Sequence, residues 1–480
     1  MATRDFRFTK IITTLGPATD TYERIKGIFE HGASIARLNF SHDTQEIQKA
    51  KFDIVKRVEK ELGRKIPVFA DLQGPKLRVG VFKEEPQTLE DGQFFVVDSD
   101  PAPGDSTRVQ LPNLEILKAL EVGHFILIDD GKIKLQVVEK GKGYCKTKVV
   151  VGGRIKNRKG FNLPNTIVPL PILTEKDLSD LEFAINMGVD LVAVSFAQTP
   201  GDLKKARDTI KGRVPMITKV EKPTAAVDYI EEIIDLSDVV MIARGDMAVE
   251  VGSENVPAIQ KNMIRLCREK RKPVIVATQM LESMIEGTFP TRAEVTDVSN
   301  AVYECTDCCM LSAESASGKY PIEAVSMMDT IIRSTEADPN YHKYIKEFTL
   351  ELNRSKFLGD AIAKATADIA SDVGAAAVVA FTTSGSTAIN ISKRRPAAPI
   401  VAMTPNDHVA GRVGFCWGVI PVIDGQHDAE RLDEVARAAV KKLGLAKPGD
   451  AIVLTFGKGT ANAKAMFADP AATIVSVIKV

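Results

Sequence analysis

A chain of 480 residues is too long for one hydrophobic core and suggests roughly two to four domains. Lysine plus arginine and aspartate plus glutamate each total 63, so bulk charge gives no reason to invoke nucleic acid or an anionic membrane as a partner. Hydrophobic content of 44% is ordinary for a globular protein, no apolar run approaches a membrane span, and the opening MATRDFRFTK lacks the apolar core of a secretion signal.

The first β-rich run, Lys10–Leu15, is stopped by Gly16-Pro17. A helical stretch follows, then Ser34–Phe40 leading into Ser41-His42, then Ile66–Leu72 stopped by Gln73-Gly74-Pro75. After a gap the series resumes with Leu191–Ser195, Met216–Val220, Val239–Ala243, Val274–Thr278 and Cys309–Ser312. Short, nearly continuous apolar runs separated by helical patterns predict strands buried on both faces of a parallel sheet. Eight such units match a (β/α)8 TIM barrel. Periodicity does not show closure, so an open doubly wound sheet is the alternative.

The gap, residues 73–169, has a different texture. Turn pairs Asp91-Gly92, Asp130-Gly131 and Gly152-Gly153 separate runs rich in Val, Ile and Phe, which predicts antiparallel strands. We expect a small all-β barrel domain inserted into a barrel loop, where it would act as a lid over the catalytic face. A passive decoration is the alternative, and the basic segment Arg154–Lys159 weighs against it. From residue 341 five further runs appear: Ala376–Phe381, Ile400–Met403, Val419–Ile423, Ile452–Thr455 and Thr473–Ile478. Helical stretches such as Asp360–Ser371 and Ala429–Leu443 lie among them, predicting a C-terminal α/β open-sheet domain. The expected domains are therefore 1–72 with 170–340, 73–169, and 341–480.

Chemistry concentrates in residues 214–246, VPMITKVEKPTAAVDYIEEIIDLSDVVMIARGDM. Two apolar runs end in charge, Lys219 and Glu221 on the first, Arg244 and Asp246 past the second. Between them the spacing of Val227, Ile230 and Ile234 predicts a helix packed by one face. Ligands bind at the carboxyl ends of parallel strands, and side chains two apart on a strand share a face, so Lys219 and Glu221 point the same way. An ammonium beside two carboxylates suits phosphate chemistry. Magnesium is commonly held by about one or two carboxylates plus phosphate oxygens, and a lysine balances charge on the group in transit. A Lys–Glu ion pair closing a barrel mouth would look the same in this segment. Other strand ends add Arg37, Asn39, Ser41, Asp71 and Thr278, and the convergence predicts an active site.

Three further features need weighing. Six scattered cysteines make no disulfide framework, so the expected compartment is the cytoplasm. Cys305, Cys308 and Cys309 read as core thiols rather than a zinc site, because Cys309 opens an apolar run and no second Cys/His pair lies nearby. Phe456-Gly457-Lys458-Gly459-Thr460 lacks the spacing of a Walker loop. Thr382, Thr383, Ser384, Gly385, Ser386 and Thr387, directly after a predicted strand, offer hydroxyls and amides suited to a phosphate, although an ordinary αβ turn has the same look.

KVEKPTAA followed by SDVVMIARGDM closely resembles the signature region of pyruvate kinases, and ATQMLESM with PTRAEV resembles the next part of that family. The similarity runs over nearly the whole chain. It implies magnesium- or manganese-dependent phosphoryl transfer from phosphoenolpyruvate to ADP, giving pyruvate and ATP at the last step of glycolysis, in a homotetramer. By the same resemblance Arg37 would grip the substrate phosphate. Glu221 and Asp246 would hold the divalent ion, the Gly245 amide would meet the substrate carboxylate, and Lys219 would stabilise the phosphoryl group. Thr278 would take part in delivering a proton to the enolate carbon. Asn39, Phe40, Ser41, His42, Arg78 and Lys159 resemble the nucleotide-phosphate side. In the family the loop corresponding to Thr382–Thr387 cradles an effector phosphate, which implies activation by a phosphorylated sugar or nucleotide.

The chain also departs from its relatives. Ala313-Glu314-Ser315 stands where many read Gly-Glu-Thr, and the C-terminal region matches less closely than the barrel. Many pyruvate kinases need potassium, held by groups corresponding to Asn39, Ser41 and Asp71, with a glutamate where this chain has Lys76. Leu72, Gln73 and Val79 likewise resemble the branch that does without the ion, so potassium is not expected to be required. A Lys76 pointing into solvent is the alternative. Two other function classes stay in view. A metal-dependent lyase of pyruvate-like acids could use Glu221 and Asp246, but has no need of Lys219 and an ADP-side lid. A non-catalytic sugar-phosphate sensor has no need of the barrel-mouth residues.

Overall fold

The eight apolar runs become parallel strands, Lys10–Leu15, Ile35–Asn39, Val68–Asp71, Leu191–Val194, Met216–Val220, Val239–Ala243, Val274–Ala277 and Cys308–Leu311. The first pairs with the last, Lys10 opposite Cys308 and Thr13 opposite Leu311, so the sheet closes into a barrel and the open-sheet alternative falls. The computed structural model describes residues 6–164, 166–351, 358–425, 431–457 and 473–480. Each strand is apolar on both faces because each face is covered. Ile12, Ile35, Phe69, Leu191, Ile217 and Met241 help fill the interior, while alternate residues pack outward against the helices.

Several boundaries differ from expectation for identifiable reasons. Thr278 follows the seventh strand instead of ending it, because its backbone turns into the left-handed region at φ 70°. The eighth strand runs Cys308–Leu311, and Ser312 leaves the ladder to donate its amide to Glu314. Val227 is not on the packed face of its helix. It lies in a π-helical turn, Thr224–Asp228, and is exposed. That wider turn shifts the phase, so the helix Ile230–Leu236 buries Ile230, Ile233 and Ile234.

Between the third and fourth barrel strands the chain builds a six-stranded sheet and a two-stranded one. Among the described residues the strand pairings within these sheets are antiparallel except that of Phe94–Asp98 with Arg108–Gln110, an isolated parallel bridge joins Phe82 to Gly104, and one helix, Leu114–Ala119, interrupts the β structure. Phe95, Val97, Leu111, Ile126, Leu135 and Val149 contribute to a separate core.

The C-terminal part forms a five-stranded sheet in the order Val419–Ile423, Ile400–Thr404, Ala377–Phe381, Ala451–Gly457, Thr473–Lys479. It is parallel apart from the last strand, and apolar clusters cover both faces. Helices Leu358–Asp372 and Leu432–Lys442 occupy the expected stretches. The initial MATRD, the beginning of the second expected helix at 429–430, and Lys458, Gly459 and Thr460 of the glycine-rich segment lie outside the described residues.

The two α/β units share a core. Phe415 enters the floor of the barrel, its ring 5.8 Å from that of Phe69. Lys65 ties Asp190 on the barrel to Asp407 on the C-terminal unit, at 2.8 Å each. Burying one phenylalanine fully is worth about 1.5–3 kcal/mol, so this contact alone resists separation.

Candidate active site

Because the fifth strand is extended, Lys219 and Glu221 emerge together at its carboxyl end. Lys219 Nζ lies 3.0 Å from Glu221 Oε1 and 3.5 Å from Asp71 Oδ1, and donates to Ser195 Oγ at 2.8 Å. Asp71, on the third strand, also accepts from Arg37 Nε at 2.7 Å, while Arg37 Nη1 bonds the Thr14 hydroxyl at 3.0 Å. Two cations and two carboxylates are thus packed at one mouth with little solvent. Burial pulls the Lys219 ammonium down, but Asp71 and Glu221 outweigh it and hold the pKa above its ordinary value. Burial favours a protonated Asp71, yet Lys219 and Arg37 keep its carboxyl below the usual range. Glu221 is pushed up to about 7, first by burial and then by the Asp246 charge, with Lys219 and the Phe196 amide opposing. That amide donates to Glu221 Oε2 at 2.7 Å, from a residue held at φ 59°.

The sixth strand runs straight into the helix Arg244–Val251, whose first turn carries Gly245 and Asp246. Free amides at a helix N-terminus favour anions. The Gly245 amide donates to Thr278 Oγ1 at 2.8 Å, and that hydroxyl donates to Ala277 O at 2.6 Å. Thr278 and Gln279 both have positive φ, so the loop after the seventh strand is strained. Arg244 clamps it, donating to Thr278 O at 2.8 Å and pairing with Asp297 at 2.7 Å. Glu314, fully buried, accepts from the amides of Leu281 and Ser312. The departure at 313–315 therefore keeps a carboxylate that braces this loop.

Asn39 to His42 form a tight turn at the end of the second strand. Asn39 Oδ1 accepts from the Ser41 amide, Gln48 Nε2 bonds the carbonyls of Asn39 and His42, and Lys176 holds the Phe40 carbonyl at 2.7 Å. Arg78 and Lys159 come together elsewhere, in the insert's hinge, where Arg78 bridges to Gly160. Both bond within the insert, Arg78 to the Arg158 carbonyl and Lys159 to Asp129 at 2.7 Å. Between insert and barrel lies a cleft whose lining includes Lys76, Asp130, Phe161, Asn162, Lys222 and Asp246. Lys76 is exposed, its amide turned onto Gly74 O.

Thr382 to Gly385 form a compact turn at the carboxyl end of the strand Ala377–Phe381, and Ser386 and Thr387 open the helix Ser386–Ser392. Thr382 Oγ1 accepts from the Gly385 amide, Gly385 has φ 82°, and Ser384 and Ser386 share a hydroxyl bond at 3.0 Å. Thr383, Ser384 and Ser386 are exposed. Ser384 also lines a second cleft, between this loop and the barrel floor, with Arg207, Arg213, His408 and Arg412.

Two family models match the chain, "Pyruvate kinase, barrel domain" over residues 6–325 and "Pyruvate kinase, alpha/beta domain" over 360–466. A pyruvate kinase of Methylorubrum extorquens is 45% identical over 454 residues, covering 94% of both chains. The chain belongs to the pyruvate kinase family. A pyruvate kinase of Agrobacterium vitis is 42% identical across 95% of this chain and 96% of its own. The crystal structure of a pyruvate kinase from Cryptosporidium parvum superposes with a TM-score of 0.91 at 32% identity, covering 98% of this chain and 96% of that one.

Pyruvate kinases require a divalent metal, and the residues present fit one. Glu221 Oε1 is buried with only the Lys219 ammonium beside it at 3.0 Å, and Asp246 is close enough to raise its pKa. Among the described residues no group of three or more His, Cys, Asp or Glu could hold a metal alone. Two carboxylates would therefore share the ion with substrate oxygens and water, which is how magnesium is usually held. All six thiols are buried.

The sequence names Arg244 without giving it a role, and it singles out none of Ser195, Phe196, Lys222 and Glu250, although Lys222 stands in the KVEKPTAA motif. These four act through folded geometry.

Proposed function

We propose that this chain transfers the phosphoryl group of phosphoenolpyruvate to ADP with magnesium, or manganese, giving pyruvate and ATP as the last step of glycolysis in the cytoplasm. The observation that carries the reading is Lys219, charged and held between Asp71 and Glu221 at the mouth where Arg37 and the Gly245 amide also converge. Arg37 keeps Nη2 free for the substrate phosphate, since Nε and Nη1 are committed to Asp71 and Thr14. The Gly245 amide would receive the substrate carboxylate in place of Thr278 Oγ1. Glu221 and Asp246 would hold the divalent ion, which when bound neutralises charge on phosphate oxygens. Lys219 would follow the phosphoryl group between enolate oxygen and ADP, and Thr278 would pass a proton to the enolate carbon through water. The machinery is positioning plus charge neutralisation, with no covalent step on the protein.

Asn39–His42, Arg78 and Lys159 form the nucleotide-phosphate side in this reading. Lys159 would exchange Asp129 for a phosphate when ADP arrives. Residues 1–72 and 170–340 carry the chemistry, 73–169 act as the lid, and 341–480 regulate. A phosphorylated sugar or nucleotide is the expected activator, taken up by the hydroxyls of Thr382–Thr387, and the arginine-lined cleft beside Ser384 supports an anionic ligand there. Family membership supports a homotetramer. Pyruvate release measured by a coupled dehydrogenase, with and without divalent ion and candidate sugar phosphates, tests the reading. No pyruvate from phosphoenolpyruvate and ADP at saturating magnesium would refute it.

A further inference from the structure

Lys222 and Glu250 form a buried ion pair that none of the roles above uses. Lys222 Nζ lies 2.5 Å from Glu250 Oε1, and the two side chains are 8% and 1% exposed. The same carboxylate oxygen accepts from Asn162 Nδ2 at 2.8 Å. Its other oxygen is buried and no donor meets it.

The places of these three residues in the chain matter more than the pair itself. Lys222 directly follows Glu221. Glu250 lies four residues after Asp246 in the helix Arg244–Val251, hence on the same face one turn further along. Asn162 belongs to the strand Phe161–Asn162, the edge of the insert's sheet. The insert also approaches this helix at Gly131, where an added Cβ would lie 3.7 Å from Val249. One carboxylate therefore ties together the end of the fifth strand, the helix that carries Asp246, and the lid.

A buried ion pair is a poor source of stability, because desolvating two charges offsets much of their attraction. Its placement has a clearer consequence. The pair fixes the helix face bearing Asp246 against the strand end bearing Glu221, and so fixes the separation of the two carboxylates. Partners that orient metal ligands typically matter about 10–100-fold in metal affinity.

We propose that Glu250 is a positioning residue, which through Lys222 sets the spacing of the Glu221 and Asp246 carboxylates and through Asn162 makes that spacing sense the lid. The inference rests on Glu221 and Asp246 being the metal carboxylates.

Manganese binding to the substrate-free full-length protein, followed by electron paramagnetic resonance, reads this without turnover. Glu250→Gln and Lys222→Met should each weaken manganese binding by about 10-fold or more, while Lys222→Arg, which keeps the charge, should retain most of it. Asn162→Ala should leave that affinity near wild type but raise the KM for ADP, since it cuts only the tie to the lid. The double variant Lys222→Met/Glu250→Leu replaces the pair with apolar groups and keeps the core filled. It should fold, by circular dichroism, and still bind manganese weakly. Wild-type affinity in folded Glu250→Gln, or in the double variant should Glu250→Gln fail to fold, overturns the proposal. Asp246→Asn is the control: if it binds manganese normally, the metal-ligand reading falls and this inference with it.

Discussion

Lys219 Nζ sits 3.0 Å from Glu221 Oε1, an ammonium and a carboxylate two positions apart at one strand end, with Glu221 fully buried and Lys219 14% exposed. Ser195 takes up another of the lysine's donors, so the ammonium cannot swing away from the mouth. Its charge is fixed at neutral pH because its pKa is raised. Lys219→Met should fold, since the methylenes still fill the site, but turnover should fall by about 10²–10³, the usual loss for a preorganised charge contact. Steady-state pyruvate formation by a variant with wild-type circular dichroism decides this. Near-normal turnover would remove Lys219 from the transfer step.

The proposed role of the Thr382–Thr387 loop gives a regulatory prediction. Ser384 is exposed at the cleft, its carbonyl gripped by Arg412 at 2.5 Å, so a charge there meets any incoming anion. Replacing Ser384 and Thr387 together with glutamate should abolish activation by a phosphorylated metabolite while sparing the rate at saturating phosphoenolpyruvate. An effector that only shifts an equilibrium between two states behaves in this way. Activation curves for wild type and variant are the measurement, and undiminished activation would make the loop an ordinary turn.

The eight strands were legible because burial on both faces leaves a nearly unbroken apolar run, but their closure was not, since periodicity fits an open doubly wound sheet equally and only the pairing of the first strand with the last decides it. Lys219 with Glu221 was legible because strand geometry dictates a shared face. Val227 was misplaced because the π turn Thr224–Asp228 changes the period, and nothing in TAAVD announces it. Thr278 was assigned to the strand because a β-branched residue rarely takes φ 70°. Ser195, Phe196, Lys222 and Glu250 were invisible for a different reason. Each acts by meeting a residue from another strand or from the insert, and only closure of the barrel creates those neighbours.

Lys10 supplies a stability prediction with a defined pH window. It is 8% exposed at the start of the first strand, and its pKa is lowered to about 8, first by burial and then by Arg7, with Glu336, Cys308 and Cys416 opposing. Unfolded, a lysine titrates near about 10.4. Between those values the unfolded chain binds more protons, so this group makes stability rise with pH; below about 8 the buried charge is carried in full. Lys10→Met should therefore raise the Tm at pH 7, by at most the equivalent of about 3 kcal/mol. The advantage should narrow by about pH 10, as wild type sheds the proton. Melting curves of both proteins at the two pH values test this. A destabilised Lys10→Met at pH 7 would mean that the Phe6 ring contact, 5.7 Å from the ammonium, outweighs burial.

Lys76 carries the last prediction. Its side chain is exposed on the cleft that Asp246 and Lys222 also line, just past the hinge turn at Gly74. Asp71, which the family resemblance leads us to expect among the potassium-binding positions, already faces Arg37 at 2.7 Å and Lys219 at 3.5 Å. Its charge is balanced by the chain's own cations, which weakens its pull on a monovalent ion. A potassium ion and a lysine ammonium each supply one positive charge beside substrate oxygens, but the lysine is tethered and loses no translational freedom on binding. Our hypothesis is that Lys76 stands in for the ion, so activity with magnesium and no potassium should be nearly full. Lys76→Glu should lose activity and recover part of it when potassium is added, because Asn39, Ser41 and Asp71 remain in place. Rates in tetramethylammonium buffer, with and without potassium chloride, measure both effects. Strong potassium activation of the unmodified enzyme would show that Lys76 does not do this job.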